Sequence, residues 1–493
     1  MKRLKMFMAV SVSLIYGLQV SAKDYSMHYT VEPDTAGHYL NVSLSCSDLQ
    51  ERELRLKMPV WAPGYYEILD FPKHLCDFGA TDSEGKKLKW HKESKNLWVI
   101  DTEGKENVAV KYRVFANERN VASSRVDSAS AFVAPGGVFM HVNGDVQHPV
   151  SVTYNLPSDW HNISTGLKAE NNDQYTFTAP DFDVLYDSPV LMGNHYVKKF
   201  KHEGRDYEFA IETPDGIEES GLEDSFRAIV SECNKMMGDV PYDNYALIHL
   251  GKGQGGLEHI NSQACYTSGT YKFDSRDEWL NFLAFVAHEY FHLYNVKTIR
   301  PIELGPFDYD KEAYSPLIWF SEGITCYYEC LLLLRAGLAT EEEIYKLLSE
   351  YMANDEPYDG KHHQSLRMAS YDIWLNFMNR DANSKDVRIN YYFRGPVIGL
   401  IMDIEIKRLS GGQRSLDDLM RLLYNRFHKE KGRGFTEEEF WSAVDEVAGG
   451  SMSHVRHLVD NPVEIDYEKY LTPAGLTIDR EKWLIQPASL EAV

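Results

Sequence analysis

Hydrophobic and polar positions alternate along the first part of the chain. Apolar residues occupy every second position at 40–46, 54–58 and 108–114, in short runs separated by Gly, Pro and Asp. Because neighbouring side chains of a strand point to opposite faces, this period of two predicts strands that bury one face. Several such runs in succession are typical of an antiparallel β-sandwich, which we expect as the N-terminal domain.

The pattern changes near residue 204. Strand-like runs at 207–212 and 245–250 flank a helical stretch at 218–237. After Ser275 the apolar spacing is almost entirely helical. Strands followed by helices predict an α+β fold, with a small sheet and a helical bundle in the second domain.

The N-terminus has the pattern of a secretory signal peptide. A basic segment at 1–5 precedes an apolar stretch at 6–20 and small residues at the expected cleavage site, so we assign 1–22 to the signal peptide. The β-sandwich domain then extends over 23–200, and the second domain extends over 201–493. We expect an exported protein, periplasmic or secreted, and an uncleaved anchor is the alternative.

The charge balance narrows the choice of partners. Lys and Arg number 51 against 74 Asp and Glu, and the formal net charge of −23 argues against nucleic acid and anionic membrane surfaces. The N-terminal apolar stretch is short for a membrane span and no later segment qualifies, so we expect no stable membrane insertion. The six cysteines show no Cys-x-x-Cys spacing, which argues against cysteine ligation of a metal and leaves disulfide pairing open.

One five-residue segment, His288-Glu289-Tyr290-Phe291-His292, carries most of the candidate chemistry. Histidines four residues apart project from one helix face and can bind one zinc ion, while the glutamate between them can act as a base toward water. Ser275 and Glu278 have the spacing of a capping box, and apolar residues recur at helical spacing over 279–286. The motif therefore falls within a predicted helix, although histidines on an apolar helix face also occur as plain core residues.

A third metal ligand is available downstream. Glu322 follows His292 by 30 residues and precedes a second apolar segment, 324–334, that is again typical of a buried helix. A catalytic zinc site needs three protein ligands and one position open to water. We therefore predict that one Zn²⁺ per chain is bound by His288, His292 and Glu322, with Glu289 as the catalytic base.

Two further segments carry weaker signals. Gly255 and Gly256 would let a substrate backbone approach an edge strand, and Glu258 would then be able to bind a positively charged group. Glycine-rich turns that end in an acidic residue are common, however. A tyrosine of 390–395, before an amphipathic helix at 397–409, can donate a hydrogen bond to an oxyanion, but 31 tyrosines in the chain leave the choice open.

A set of segments spread over most of the mature chain indicates which roles these weaker candidates have. The segments are Trp61-Ala62-Pro63-Gly64-Tyr65-Tyr66, Asp187-Ser188-Pro189-Val190, Gly255-Gly256-Leu257-Glu258-His259, His288 to Lys297, Arg300-Pro301, Trp319-Phe320-Ser321-Glu322-Gly323 and Tyr391-Tyr392-Phe393-Arg394-Gly395. Together they resemble the glycyl aminopeptidase family of zinc metallopeptidases, which belongs to the thermolysin-like clan. The zinc motif with its Asn-Val-Lys tail is the most specific of them.

The resemblance implies an N-terminal β domain followed by a thermolysin-like catalytic domain. It implies that Glu258, at the end of a Gly-x-x-Glu edge strand, binds the free α-amine of a peptide substrate, with Gly255 and Gly256 beside the substrate backbone. Tyr392 corresponds to the tyrosine that stabilises the oxyanion. Small N-terminal residues, Gly or Ala, are the substrates that the resemblance suggests.

The chain departs from the family pattern at three places. Arg394 replaces the usual lysine after the oxyanion tyrosine, and Tyr294 stands where the family usually has Trp. Neither change removes a catalytic group. Family members often end in a PDZ domain, which we expect to be absent here because the chain stops soon after 466–476.

These patterns predict a zinc-dependent aminopeptidase that hydrolyses the first peptide bond of peptides. A zinc endopeptidase of the same clan, with Glu258 in a structural role, is the first alternative. A non-catalytic binding protein on this scaffold is the second, but such proteins usually lose a ligand or the base, and this chain keeps both. The sequence does not specify side-chain preference, peptide length or oligomeric state.

Overall fold

The structure is a computed structural model that describes residues 25–170, 173–376 and 381–488. The signal peptide expected at 1–22 lies outside the described residues. Among those described, no helix combines the length and the apolar character that a membrane crossing requires. All six cysteines are free thiols.

The described N-terminal part is built from strands, as the alternating pattern predicts, with one short α-helix, α1 (Phe182–Tyr186), and two 3-10 turns. Its strands are β1 (Ser26–Asp34), β2 (Tyr39–Ser47), β3 (Glu53–Lys57), β4 (Leu75–Asp82), β5 (Trp90–Ser94), β6 (Leu97–Asp101), β7 (Val108–Phe115), β8 (Arg125–Val126), β9 (Ser130–Val133), β10 (His141–Val142), β11 (Val150–Tyr154), β12 (Asn162–Thr165), β13 (Lys168–Glu170), β14 (Asp173–Ala179) and β15 (Val190–Gly193).

These strands form a seven-stranded sheet in the order β13-β14-β11-β1-β2-β7-β4 and two four-stranded sheets, β10-β3-β6-β5 and β12-β15-β9-β8. The pairs are antiparallel except β1 and β11, which run parallel with His28 opposite Ser151. The N-terminal domain is sheet-rich as predicted, and this one pair departs from the antiparallel pattern. Alternation reports which face of a strand is buried but not its direction, and no hairpin joins two strands so distant in the chain.

A five-stranded sheet begins the second part of the chain. Its strands are β16 (Tyr196–His202), β17 (Arg205–Ile211), β18 (Asn244–Lys252), β19 (Gly256–Glu258) and β20 (Ser262–Thr267), with helix α2 (Leu222–Met237) between β17 and β18. The order is β16-β17-β18-β20-β19, so β19 is an edge strand. Tyr245 and Leu247 of β18 pack on the helices, whereas Ala246 and Ile248 pack on the N-terminal domain. Burial on both faces explains why β18 is apolar at four successive positions, Tyr245 to Ile248.

Helices follow from Arg276 onward, as expected. They are α3 (Arg276–Phe291), α4 (Ile318–Arg335), α5 (Glu341–Asp355), α6 (Leu366–Tyr371), α7 (Ile373–Asn376), α8 (Ser384–Val387), α9 (Tyr391–Leu409), α10 (Leu416–Leu423), α11 (Glu437–Ala448), α12 (Ser453–Asp460) and α13 (Tyr467–Leu471). A hairpin of β21 (Leu476–Asp479) and β22 (Leu484–Pro487), which the spacing does not predict, packs against α5.

Two local expectations need correction. Ser275 caps α3 by accepting a hydrogen bond from the Glu278 N–H (3.2 Å), but the Glu278 carboxylate accepts from the Asp274 N–H, so the capping box is only half formed. Helix α9 begins at Tyr391 instead of 397, and it contains Pro396. A proline has no N–H to donate and is therefore usually placed before a helix instead of within it. The regular helical spacing of apolar residues also begins only after Pro396, which explains the late predicted start.

Candidate active site

Helices α3 and α4 bring the three predicted metal ligands together. The Nε2 atoms of His288 and His292 are 3.0 Å apart, and Glu322 Oε2 lies 3.8 Å and 3.4 Å from them, respectively. All three side chains are buried. Zinc–nitrogen and zinc–oxygen bonds of about 2.1 Å in a tetrahedron place ligand atoms roughly 3.3 Å apart, which matches these separations.

The hydrogen bonds of the histidines decide which nitrogen faces the centre of this group. His292 Nδ1 is 2.6 Å from the Asn295 carbonyl oxygen, and His288 Nδ1 is 2.8 Å from Glu329 Oε2. Both partners only accept, so each Nδ1 carries a hydrogen, and each ring in its neutral form presents the Nε2 lone pair to the centre of the group. Two nitrogen lone pairs and a carboxylate oxygen converge with no N–H or O–H group between them. Such a set of ligand atoms fits a metal cation.

Further contacts hold the ligands in this orientation. The Glu329 carboxylate also accepts from the Tyr351 hydroxyl. Asn295 donates through Nδ2 to the carbonyls of Phe320 and Ser321 (3.0 and 3.1 Å), which ties the end of the motif to α4 one residue before Glu322. Asn295, the first residue of the Asn-Val-Lys tail, therefore fixes the two ligand-bearing helices to each other.

A close helix crossing sets the position of Glu322. Gly323 of α4 and Gly395 of α9 face each other, and a methyl carbon at Gly395 would lie 2.6 Å from the Gly323 Cα. Only glycines permit the two backbones to approach so closely. Burial opposes the negative charge of Glu322, yet interactions with His292 and His288 lower the pKa of Glu322 below its ordinary value.

Glu289 lies beside the metal ligands and against the edge strand β19. Its Oε2 atom is buried and has no hydrogen-bond partner in the described part of the chain. A methyl group at Gly256 would overlap its carboxylate, so glycine leaves the room that Glu289 occupies. Burial raises the pKa of Glu289 to about 7. Gly255, with a φ of 98°, makes the left-handed turn into β19.

Glu258 ends the same edge strand and is also buried. Within the described residues, its Oε1 has no hydrogen-bond partner and no cationic side chain forms an ion pair with it. Gly64 of the N-terminal domain lies over the carboxylate, and a methyl carbon there would be 2.8 Å from Glu258 Oε1. A buried carboxylate oxygen without a protein partner marks Glu258 as a candidate site for a cationic ligand.

Two tyrosines complete the surroundings of Glu322. The Tyr66 hydroxyl, from the N-terminal domain, donates to Glu322 Oε1 at 3.4 Å. Tyr392 stands in the first turn of α9, where Asn390 caps the helix by accepting from the Tyr392 N–H. Burial and the nearby Glu322 raise the pKa of Tyr392 well above its ordinary value, so its phenol stays protonated and can donate a hydrogen bond. Arg394 points elsewhere, into a buried ion pair with Asp355.

Cavities border the site on two sides. A cavity of about 300 Å³ reaches Tyr392, and a small one of about 40 Å³ opens beside Glu258. Both domains line the small cavity, with Trp61, Pro63, Gly64 and Tyr66 from one and Glu258, Val296, Lys297, Arg300, Leu304 and Phe307 from the other. An 800 Å³ cleft between the sandwich and the five-stranded sheet holds none of the predicted site residues.

Comparison with protein families gives two matches that together span more than half of the chain. The peptidase M61 N-terminal domain matches residues 28–194, and M61 glycyl aminopeptidase matches residues 281–398. The chain belongs to the M61 glycyl aminopeptidase family. This M61 protein is therefore a metallopeptidase, as its sequence predicts.

Solved structures share the fold of the M61 protein. An aminopeptidase N family protein from Idiomarina loihiensis is 26% identical, with a TM-score of 0.87 over 92% of this chain and 79% of that one. An M1 zinc metallopeptidase from Deinococcus radiodurans is 14% identical, with a TM-score of 0.55 over 90% and 94%. Legionella pneumophila aminopeptidase A is 12% identical, with a TM-score of 0.53 over 90% and 50%. A search of curated proteins finds no match.

The M61 site brings together every residue that the sequence predicts for it, and it adds others. Glu329 and Tyr66 contact metal ligands but were not predicted. Glu329 follows Glu322 by seven residues, two helical turns, and is the other acidic residue of this buried helix, so its spacing already indicates a place on the same face. Tyr66 belongs to an aromatic loop of another domain, and no local pattern points to its partner.

Proposed function

We propose that this M61 enzyme is an exported zinc aminopeptidase that removes small N-terminal residues, Gly or Ala, from peptides. The observation that carries the proposal is the buried Glu258 carboxylate, whose Oε1 has no hydrogen-bond partner among the described residues. It ends an edge strand beside the group of His288, His292 and Glu322. A substrate ammonium would satisfy this carboxylate and align the first peptide bond with the metal site.

The His288, His292 and Glu322 side chains would hold the zinc ion, which supplies a Lewis acid that activates water and polarises a carbonyl group. Glu289 lies between this group and β19, so it can take a proton from water and return it to the leaving amine. The geometry that supports this role is the contact of its carboxylate with Gly256, because the substrate backbone would run along that strand.

Tyr392 acts in the proposed reaction as a hydrogen-bond donor to the oxyanion. Its phenol is protonated at neutral pH and lies near Glu322. A preorganised donor at the developing negative charge stabilises the transition state more than the substrate. The 300 Å³ cavity on the side of Tyr392 offers room for the rest of the peptide.

The cavity beside Glu258 favours small side chains. Its volume of about 40 Å³ accommodates a few water-sized groups, since one ordered water needs about 10–15 Å³ by the same measure. Trp61 helps to fix the wall, because its ring is buried against Phe307 and Trp374 at centroid distances of 5.6 and 5.1 Å. A glycine or alanine side chain fits such a space, whereas leucine or phenylalanine requires the wall to move.

A panel of matched substrates tests the proposal. Alanyl-p-nitroanilide, leucyl-p-nitroanilide and N-acetyl-alanyl-p-nitroanilide are compared with the zinc-loaded enzyme. We expect a kcat/KM at least 100-fold higher for the free alanyl compound than for the acetylated one, and a clear preference for alanyl over leucyl. Glu258→Gln keeps the size of the side chain but removes its charge, and is expected to lose most of the discrimination against the acetylated compound.

Rapid cleavage of the acetylated substrate by the native enzyme would contradict the aminopeptidase assignment and favour the endopeptidase alternative. Export is tested separately, by cell fractionation and N-terminal sequencing of the mature protein. A chain that retains residues 1–22 in the cytoplasm would contradict it.

A further inference from the structure

Within the part of the chain that the structure describes, Asp187 is the only acidic residue that forms an ion pair with Lys297, a largely buried lysine beside the proposed amine-binding site. It follows helix α1 of the N-terminal domain, and its Oδ1 is 2.8 Å from Lys297 Nζ and 3.0 Å from His259 Nδ1. Its Oδ2 accepts from the Ile260 N–H at 2.8 Å. One carboxylate therefore holds Lys297 and the two residues that directly follow Glu258.

Lys297 lies beside Glu258, but its ammonium is paired with another carboxylate. Both residues line the same 40 Å³ cavity. The ammonium of Lys297 pairs with Asp187, and no ion pair joins it to Glu258. The other cation of the cavity, Arg300, interacts with Asp183 and Tyr309. Among the described residues, Glu258 thus has no cationic partner although two cations line the cavity.

We propose that Asp187 is a positioning residue that holds the Lys297 ammonium away from Glu258 and so keeps the Glu258 carboxylate available for the substrate amine. This inference rests on the proposed aminopeptidase function. This positioning is needed because a lysine ammonium that is largely removed from water is stabilised by pairing with a carboxylate. The flexible four-carbon side chain of lysine can reach more than one carboxylate.

Removal of the Asp187 charge has a specific consequence. Lys297, whose side chain is 11% exposed, would lose its partner, and Glu258 supplies the carboxylate among the described residues that line its cavity. A Lys297–Glu258 ion pair would then compete with the substrate ammonium for the same oxygens. The substrate would bind more weakly, while Glu289 and the metal ligands, which Asp187 does not contact, would still carry out the reaction.

The test uses Asp187→Asn, Lys297→Met and the double variant, all zinc-loaded, with alanyl-p-nitroanilide as substrate. Asp187→Asn is expected to raise KM at least tenfold and to change kcat by less than threefold. Replacing Lys297 by Met in the same chain removes the competing ammonium, so the double variant is expected to recover most of the lost affinity. A crystal structure of Asp187→Asn is expected to have Lys297 Nζ within hydrogen-bond distance of Glu258.

Any one of three results would overturn the inference. A double variant with a KM as high as that of Asp187→Asn would mean that Asp187 only stabilises the local fold around Lys297 and His259 and does not control the access of Lys297 to Glu258. An Asp187→Asn structure in which Lys297 stays away from Glu258 would do the same. If Asp187→Asn does not fold, the double variant is used instead, because it has no unpaired ammonium at this position. Its kcat/KM for the free alanyl substrate is then divided by its kcat/KM for the acetylated substrate. A native ratio is expected, and a ratio near one would overturn the inference.

Failure of the proposed function looks different. In that case the native enzyme itself cleaves free and acetylated substrates alike, and Glu258→Gln changes nothing. Failure of the present inference leaves the native preference and the Glu258→Gln effect intact and removes only the rescue by Lys297→Met.

Discussion

Replacing Gly256 by alanine is expected to impair catalysis while leaving the fold and the metal site in place. The new methyl carbon would lie 2.1 Å from Glu289 Oε1 and 2.9 Å from Oε2. Carbon–oxygen contacts are normally about 3.3 Å or longer, so the carboxylate must retreat by roughly 1 Å. Gly256 does not have a positive φ, so its backbone accepts alanine without strain.

The size of the effect follows from this displacement. A catalytic group moved by about 1 Å can cost on the order of 10²-fold in rate. The loss of stability is expected to stay within the roughly 1–3 kcal/mol of local overpacking, because the displaced atoms are the end of a flexible side chain.

The assay measures kcat for alanyl-p-nitroanilide, bound zinc and the thermal midpoint on the same preparation. Gly79→Ala is the matched control, since a methyl group there meets nothing within 4 Å. A Gly256→Ala enzyme with native kcat would refute the reasoning that Glu289, held against this glycine, is the base. Loss of zinc from this variant would refute the claim that only the base is displaced.

Three further predictions concern the surroundings of the site. Glu329→Ala is expected to weaken zinc binding about 10–100-fold in a competition titration, and Glu329→Gln, which keeps an acceptor oxygen, to weaken it less. Gly395→Ala is expected to lower the thermal midpoint and zinc affinity together, because its methyl carbon meets the Gly323 backbone; Gly399→Ala, which meets side chains, is the milder control. Burial raises the pKa of Asp187, but a neighbouring lysine outweighs it, and the pKa falls from 3.8 to about 2. Its contribution of about 2 kcal/mol to stability is therefore present above pH 4 and lost as the pH falls toward 2, a loss that urea unfolding of Asp187→Asn should lack.

The parts of the site that the sequence predicts are those with a local signal. His288 and His292 are four residues apart on one helix, and Glu322 belongs to an apolar helical segment that has to pack nearby. The edge strand with Gly256 also follows from local composition, because glycines after a strand indicate a turn and a close backbone approach.

The parts that escape prediction depend on contacts between distant segments. Asp187 and Lys297 are 110 residues apart, and neither side chain has a local pattern that indicates a partner in the other domain. The contact of Tyr66 with Glu322 spans 256 residues. The parallel pairing of β1 with β11 has the same origin, since strand direction is set by the path of the chain between them.

Stoichiometric zinc titration of the chelator-stripped protein tests the central claim most directly. The claim is that the buried group of His288, His292 and Glu322, with Glu289 beside it, is the catalytic centre. Hydrolysis of alanyl-p-nitroanilide is expected to rise linearly up to one zinc per chain and then to stay constant, while Glu289→Gln binds the same single equivalent without turnover. Full activity of the stripped protein, or native turnover by Glu289→Gln at one equivalent of zinc, would contradict the account.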